Sequence, residues 1–218
     1  MSFSNCSDFI ETELGQIPKG WHIEHVSSFC KEMKNGATPS RNKEEYWTNG
    51  TIPWVVTGEV NDSILLDTGE KITTAGLNNS SAKLLPIDSV IMAMYGRGTA
   101  ARLAYLKIEA TTNQACCGMI CNTSNRSAFL YETLHQMHDY IETLASGSVQ
   151  QNLSKELIGN LKFICPPDDV IESLGLSKII DLMTANNKES KKLAELRDYL
   201  LPKLMSGEID VSALELSS

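Results

Sequence analysis

The chain has 218 residues, of which 42% are hydrophobic and 21% charged, as is ordinary for a soluble globular protein with a core. No apolar run approaches the roughly 18 residues of a transmembrane helix, and no basic residue precedes Lys19. The sequence therefore predicts neither a membrane span nor a secretory signal, and favours the cytoplasm. The net charge of −8, taken alone, argues against nucleic-acid binding.

The first two thirds of the chain predict short strands separated by loops. After an extended first segment, strands are expected over Trp21–Phe29 and over Thr51–Val60, which is rich in β-branched and aromatic residues. Gly36 and Pro39 break any periodicity, so Lys34–Arg41 is predicted to be a loop. Further strands are predicted over Leu84–Met94, Leu103–Ile108, Ala115–Cys121 and Leu161–Cys165.

Helical periodicity dominates the remainder. Apolar residues recur every three or four positions from Phe129 to Leu144, which predicts one amphipathic helix closing at Gly147. Ser154 suits the cap of a short turn. From Val170 to Met205 the helical period is continuous over 36 residues, about 50 Å. Asp168 or Asp169 is the expected N-cap, and Pro202 should bend or end the helix.

This long helix carries a short heptad pattern interrupted by polar residues. The predicted dimer seam consists of Ile179, Leu182, Asn186, Leu193, Leu196 and Leu200. A helix docked on its own domain is the alternative, but a globule of some 165 residues has a radius of gyration of only about 15 Å. Much of the helix should therefore project and need a partner helix. The predicted fold class is α+β, a globular mixed α/β domain over residues 1–167 followed by one long coiled-coil helix over 168–207 and a tail over 208–218.

No motif in the sequence predicts an active site. Gly96–Ala101 matches a Gly-x-Gly-x-x-Ala dinucleotide pattern, but no acidic residue occurs between Ala110 and Tyr131, where that fold needs one. A glycine-bracketed turn that presents Arg97 is the better interpretation, and a nucleotide-binding enzyme remains a distant alternative. Six cysteines and four histidines lack metal-ligand spacing. We expect no catalytic residue, no metal and no cofactor.

With no catalytic motif found, the remaining residues of interest are those that could bind another molecule. Residues 71–167 hold eight basic and six acidic residues, so positive charge is concentrated locally in an acidic chain. Polar loops over Lys34–Arg41, Tyr95–Thr99, Thr111–Gln114 and Ser146–Asn152 carry side chains that bind phosphates or base edges.

An ordered set of motifs resembles the specificity (S) subunit of type I restriction–modification systems. The motifs are Leu14–Trp21, Gly36–Pro39, Tyr46–Trp47, Ile52–Val55, Ser81–Pro86, Arg97–Thr99, Thr112–Ala115, Gly147–Ser148, Pro166–Pro167 and Arg197–Asp210. Together they cover nearly the whole chain. The family usually carries two target recognition domains and two long antiparallel helices in one chain, whereas this sequence has one of each.

The resemblance implies a non-catalytic subunit that reads double-stranded DNA and docks methyltransferase and possibly restriction subunits, which carry the enzymatic activities. With one domain per chain, it implies one half-site per chain and a homodimer that reads a bipartite site. An orphan half-subunit that competes for partner subunits and so modulates restriction is the alternative. The predicted DNA-binding residues are Lys34, Thr38, Ser40, Arg41, Lys83, Arg97, Arg102, Asn113, Gln114 and Gln150.

Overall fold

A computed structural model describes residues 9–96, 98–145 and 152–209. The strands among them are β1 (Phe9–Thr12), β2 (Gly15–Pro18), β3 (His22–His25), β4 (Glu32–Asn35), β5 (Ile52–Val55), β6 (Ser63–Leu65), β7 (Glu70–Ile72), β8 (Val90–Ala93), β9 (Leu103–Leu106), β10 (Thr111–Thr112), β11 (Cys116–Ile120) and β12 (Lys162–Cys165). The α-helices are α1 (Val26–Phe29), α2 (Thr74–Asn78), α3 (Ser124–Gln136), α4 (His138–Ala145), α5 (Lys155–Gly159), α6 (Asp168–Leu174) and α7 (Leu176–Met205).

A five-stranded sheet in the order β4-β11-β8-β9-β6 forms the centre of the domain. All its pairs are antiparallel except β6 with β9. Both faces are buried, because alternate side chains enter two different clusters. Met92 belongs to the cluster that includes residues of α3, whereas Ile91 belongs to the cluster with Val55 of β5. The five-stranded sheet is thus sandwiched between helices and the smaller sheet β10-β5-β7.

Two more pairings complete the sheet structure. β1 and β2 form an antiparallel hairpin. β3 pairs with β12 antiparallel, with His22 opposite Cys165. The chain divides into two compact units, residues up to Ile180 and residues from Asp181 onward. None of the described helices has both the length and the hydropathy that crossing a bilayer requires.

Several predicted strands are shorter than the sequence pattern suggested. The predicted strand over Trp21–Phe29 was wrong in its second half. There the chain forms α1, which buries Val26 and Phe29. Thr51–Val60 ends as a strand at Val55, and a 3-10 turn follows over Thr57–Glu59. In Leu84–Met94 only Val90–Ala93 is a strand, since a turn at Pro86–Ser89 interrupts it.

The helical predictions need two corrections. The single helix over Phe129–Leu144 is two helices, α3 and α4, with a break at Met137, and its predicted end at Gly147 lies outside the described residues. The long C-terminal helix is confirmed, but Gly175 interrupts its start in the left-handed conformation, with φ +61°. Pro167 occupies the N-cap, and Asp168 and Asp169 lie in the first turn. Ser154 caps α5 as predicted, accepting a hydrogen bond from the Leu157 amide at 3.1 Å.

Candidate nucleic-acid interface

Four loops meet at one end of the five-stranded sheet, here called the loop end. Residues 36–41 follow β4, 61–62 precede β6, 94–102 join β8 to β9, and 113–115 precede β11. Backbone bonds connect them: the Gly36 amide donates to the Cys116 carbonyl at 3.1 Å, and the Met94 amide to the Ala115 carbonyl at 2.8 Å. The sheet therefore assembles residues that are distant in sequence.

The 36–41 loop is held by tryptophan side chains and by the 113–115 loop. The Ala37 amide donates to the Thr112 carbonyl at 2.9 Å. The Trp54 indole donates to the Ala37 carbonyl and the Trp47 indole to the Ser40 carbonyl, each at 3.1 Å. These bonds fix the backbone of a loop whose Thr38, Ser40 and Arg41 side chains remain exposed.

Thr38 and Gln114 are brought into direct contact, although 76 positions separate them: the Thr38 hydroxyl donates to the Gln114 side-chain oxygen. Asn113 is more deeply embedded than predicted. Its side chain bonds the Thr57 hydroxyl at 2.9 Å and accepts from the Ala115 amide at 3.1 Å. Asn113 thus shapes the loop, and Gln114 is the exposed neighbour.

Arg41 lies in an aromatic and acidic setting. Its guanidinium carbon is 3.7 Å from the Trp47 ring centroid and 4.7 Å from that of Trp54. Both terminal guanidinium nitrogens donate to the Glu70 carboxylate, Nη2 at 3.1 Å. Hydrogen bonds from Arg41 lower the pKa of Glu70 below its ordinary value. Arg41 is therefore oriented before any ligand arrives.

The described residues of the Gly96–Ala101 segment, which are Gly96 and residues 98–101, form the predicted turn. The Thr99 amide donates to the Gly96 carbonyl at 3.1 Å, and Gly96 and Gly98 both have positive φ. It leads into strand β9 and not into the helix that a dinucleotide site needs. Arg102 donates to the Asn61 side-chain oxygen at 2.7 Å. β9 is three strand spacings from β4, about 14 Å, so Arg102 and the start of the 36–41 loop lie on opposite sides of the loop end.

Two predicted lysines border the loop end. Lys34, in β4, is 3.2 Å from a Glu32 carboxylate oxygen and 3.5 Å from the Leu84 carbonyl. Lys83 is exposed and lies two residues before Leu85, which forms an antiparallel bridge with Ala110, the residue before β10. Arg97 and Gln150 lie outside the described residues. The amide of Leu153, three positions after Gln150 in the sequence, donates to the Met94 carbonyl at 3.0 Å.

Some residues of the loop end were not predicted. Trp47, Trp54 and Glu70 hold Arg41, Thr57 holds Asn113, and Asn61 holds Arg102. The sequence could have predicted the setting of Arg41 from the two tryptophans, which are seven positions apart. An arginine in an exposed loop close to two indole rings is expected to stack on them through a cation–π interaction.

Cysteine chemistry does not contribute to the loop end in the described parts of the chain. Burial raises the pKa of Cys117 to about 12 and that of Cys165 to about 11. Such thiols stay protonated and are poor ligands or nucleophiles. No group of three or more His, Cys, Asp or Glu among residues 9–96, 98–145 and 152–209 could hold a metal ion.

The predicted seam residues all lie on α7. Large exposed fractions remain at Ile179 (53%), Leu182 (62%), Leu193 (58%) and Leu196 (51%). Asn186 is exposed and Leu200 is half-buried. This helix therefore presents apolar side chains to solvent at heptad spacing.

Comparison with known proteins identifies the family. The sequence model described as "Type I restriction modification DNA specificity domain" matches residues 18–196. The chain belongs to this family. It is 27% identical over 199 residues to the HindI specificity subunit of Haemophilus influenzae, covering 88% of the chain and 42% of that protein. It is 25% identical over 195 residues to the MjaIX specificity subunit of Methanocaldococcus jannaschii, covering 87% and 44%.

Solved structures of specificity subunits share the fold. The S subunit from M. genitalium superposes with a TM-score of 0.60 at 18% identity, covering 85% of this chain and 46% of that one. HsdS from Thermoanaerobacter tengcongensis gives 0.55 at 14% identity, covering 92% and 48%. The family resemblance and the α+β fold with a long C-terminal helix are confirmed. The chain spans less than half the length of these specificity subunits.

Proposed function

We propose that this chain is a sequence-specific DNA-recognition subunit, in which the loop end reads one half of a bipartite site. The observation that carries the proposal is the assembly of Thr38, Ser40, Arg41, Asn113 and Gln114, predicted separately from sequence, at one end of one sheet. Arginine, asparagine and glutamine are the side chains that read guanine and adenine edges.

The chemistry of the loop end divides into two parts. Lys34, Lys83 and Arg102 border it and suit phosphate oxygens, which position a protein on DNA without reading its sequence. Arg41 and Gln114 are exposed side chains of the 36–41 and 113–115 loops and suit base edges. The span of about 14 Å from β4 to β9 is comparable with a major groove about 12 Å wide.

We further propose that two copies pair through α7 and that the dimer reads an interrupted palindrome. The exposed apolar residues of α7 support the pairing, since exposed leucines at heptad spacing are typical of a coiled-coil seam. A two-fold dimer presents two identical half-site readers.

The proposal makes this subunit non-catalytic, with methyltransferase and possibly restriction subunits as partners. These partners would catalyse the reactions on DNA, and the dimer would determine the DNA site at which they act. Because the substrate is chromosomal DNA, the proposed compartment is the cytoplasm. The division into a recognition domain (1–167), a spacer helix (168–207) and a tail (208–218) remains part of the proposal.

The test is reconstitution with a type I methyltransferase subunit, followed by mapping of methylated adenines in a genomic substrate. One interrupted, palindromic motif is expected, and an Arg41→Ala/Gln114→Ala double variant should lose it while keeping its thermal unfolding midpoint. Absence of any motif, with reduced methylation when the chain is added to a complete system, would support the competing half-subunit instead.

A further inference from the structure

Two cysteines meet at the end of the five-stranded sheet that is opposite to the loop end. Cys30 follows α1 and precedes β4, whereas Cys121 lies directly after β11. The Lys31 amide donates to the Ile120 carbonyl at 2.7 Å, so the two cysteines are neighbours across one bonded pair of strands. Both side chains contact the same hydrophobic core, and both thiols are free.

We propose that Cys30 and Cys121 form a peroxide-sensitive thiol pair, in which Cys121 is oxidised first and Cys30 then closes an intramolecular disulfide. The co-reactant is a hydroperoxide, of which hydrogen peroxide is the simplest. This modification site lies away from the loop end, and the proposed reading of DNA does not require it. The proposal therefore stands or fails independently of the proposed function.

The two thiols differ in the properties that assign their roles. Cys30 is only 7% exposed, whereas Cys121 is half-buried and therefore within reach of a small oxidant. Hydrogen bonding with Cys30 lowers the pKa of Cys121. Desolvation opposes this effect, and a hydrogen bond with Ser127 and the charge of Arg126 lower the pKa further. Hydrogen bonding with Cys121 and burial raise the pKa of Cys30. Cys121 is thus the thiol that forms the reactive thiolate, and Cys30 is the one that keeps its proton.

Arg126 supplies the positive setting that a thiolate needs. Its guanidinium carbon is 3.9 Å from the Phe29 ring centroid, and one terminal nitrogen donates to the Phe29 carbonyl at 3.0 Å. The charge therefore lies beside the residue that precedes Cys30. The Arg126 Nε is buried and has no hydrogen-bond partner among the described residues. A thiolate nearby would compensate a cation whose ion-pair partner, Asp168, is largely exposed.

The other described cysteines lack this combination of exposure and lowered pKa. Cys116, Cys117 and Cys165 are all buried. Burial raises the pKa of Cys116 and of Cys117 to about 12, and that of Cys165 to about 11. Cys117 lies four positions before Cys121, about 13 Å along an extended chain, which is beyond the reach of a disulfide. Cys30 is therefore the partner that the geometry offers to an oxidised Cys121.

The reaction consumes one hydrogen peroxide and releases two molecules of water. The Cys121 thiolate attacks one peroxide oxygen and the O–O bond breaks, which leaves a sulfenic acid on Cys121 and a hydroxide that takes up the proton lost by the thiol. The Cys30 sulfur then attacks the Cys121 sulfur and the S–O bond breaks. The departing hydroxide takes up the Cys30 proton. Each sulfur is oxidised by one electron, the peroxide is reduced by two, and a dithiol reductant reverses the disulfide by exchange.

The disulfide would join the chain before β4 to the chain after β11. These two strands carry the 36–41 and 113–115 loops at their other ends. The bond closes a loop of about 90 residues, and closing a long loop restricts the unfolded chain. The melting temperature of the oxidised protein should therefore exceed that of the reduced protein by about 5–10 °C. A fall in melting temperature would show that the native fold does not accommodate the bond and would overturn the proposal.

The test exposes the full-length, unsubstituted chain to hydrogen peroxide and maps its tryptic peptides by mass spectrometry without reduction. Trypsin places Cys30 on residues 20–31 and Cys121 on residues 108–126. The expected product is a disulfide that links these two peptides within one chain. Fragment ions distinguish Cys121 from the two other cysteines of its peptide. Treatment with dithiothreitol should release both peptides.

Matched variants separate the two roles. Cys30→Ala should accumulate a sulfenic acid on Cys121, which dimedone traps, because no resolving thiol is left. Cys121→Ser should give neither a dimedone adduct on Cys30 nor the linked peptides. Cys117→Ala, which removes a buried thiol from the same strand, is the control and should form the same disulfide as the unsubstituted chain.

A dimedone adduct on Cys30 or Cys165 in place of Cys121, a different linked pair, or a covalent dimer as the main product would overturn the proposal. Thiol labelling of the reduced, unsubstituted chain keeps the test independent of how the variants fold. Under limiting iodoacetamide, Cys121 should be alkylated about tenfold faster than the buried cysteines, since the thiolate is the nucleophile. Equal rates would refute the assignment of Cys121 as the reactive thiol.

Discussion

Arg41 is held by two kinds of contact that differ in strength. The two side chains of its ion pair with Glu70 are 50% and 41% exposed. Surface ion pairs of this kind contribute little to the free energy of unfolding. Stacking on two indole rings contributes about 0.5–1 kcal/mol at an exposed site. The main effect of Glu70 is therefore to orient the guanidinium, and a DNA phosphate or base edge would have to compete with a carboxylate for it.

A first prediction concerns Glu70→Gln and pH. Because Arg41 lowers the pKa of Glu70 in the folded state, the carboxylate contributes stability above its unfolded pKa, and this contribution is lost as pH falls through the folded pKa. The wild type should lose more unfolding free energy than Glu70→Gln between about pH 5 and pH 3, measured by urea titration. Glu44→Gln, which removes an exposed carboxylate in the 3-10 turn over Glu44–Tyr46, is the control. Parallel pH curves for wild type and Glu70→Gln would contradict the prediction.

A second prediction concerns the salt dependence of DNA binding. Lys83 is exposed at the edge of the loop end, so Lys83→Ala should remove one phosphate contact. The slope of log affinity against log salt concentration should then fall by about 1, measured by fluorescence anisotropy. Lys31, at the opposite end of the five-stranded sheet, is the matched control. An equal fall in slope for Lys31→Ala would show that the effect is not local to the loop end.

At the scale of elements, the loop end depends on close backbone approach at Gly36. A Cβ atom there would lie 1.9 Å from the Asn113 carbonyl oxygen and 2.2 Å from the Thr112 hydroxyl. Both neighbours belong to the chain segment that carries Gln114. Glycine is therefore needed at this position to join two loops, and not for an unusual φ angle.

The third prediction follows from that contact. Gly36→Ala should separate the 36–41 and 113–115 loops and lower the unfolding free energy by about 1–3 kcal/mol, the usual cost of overpacking. DNA affinity should fall with it. Gly58→Ala is the matched control, since a Cβ there meets nothing within 4 Å. Equal unfolding free energies for Gly36→Ala and wild type in urea titrations would refute the argument.

The sequence predicted elements where one local pattern dominates. β9 and β11 were found because their residues are continuously apolar, and α7 because its period persists. The break at Gly175 was missed because a single glycine is tolerated within a helical pattern. α1 was missed because four residues are too few to show a helical period, and its formation depends on burying Val26 and Phe29 in the core.

For the loop end, residue types were predictable but their contacts were not. Thr38 and Gln114 were proposed from composition, yet their contact needs β4 and β11 to be neighbours, which no local pattern reveals. Asn113 was proposed as a base contact, and the structure gives its side chain intramolecular partners. That distinction depends on Thr57, 56 positions earlier in the chain.

At the scale of the whole molecule, a net charge of −8 opposes DNA binding by a single copy, whereas the proposed pairing would bring two loop ends to one DNA molecule. The fourth prediction is that Leu193→Asp shifts the protein toward monomer in sedimentation equilibrium, because it places a carboxylate in the proposed apolar seam. Affinity for a two-half-site DNA should fall far more than affinity for one half-site. Lys191→Asp, off the seam on the same helix, should stay dimeric, and a dimeric Leu193→Asp variant would count against the seam.

The pairing of β3 with β12 also has an evolutionary consequence. These strands lie near the beginning and the end of the proposed recognition domain, and they run antiparallel with His22 opposite Cys165. The chain thus enters and leaves the domain at neighbouring points, as in domains that tolerate insertion into other proteins. Recombination between the two boundaries would exchange a complete DNA reader while preserving the contact between the 36–41 and 113–115 loops. Replacing either loop alone would break that contact. We therefore expect new DNA specificities to arise more readily by exchange of the whole segment between β3 and β12 than by exchange of a single loop.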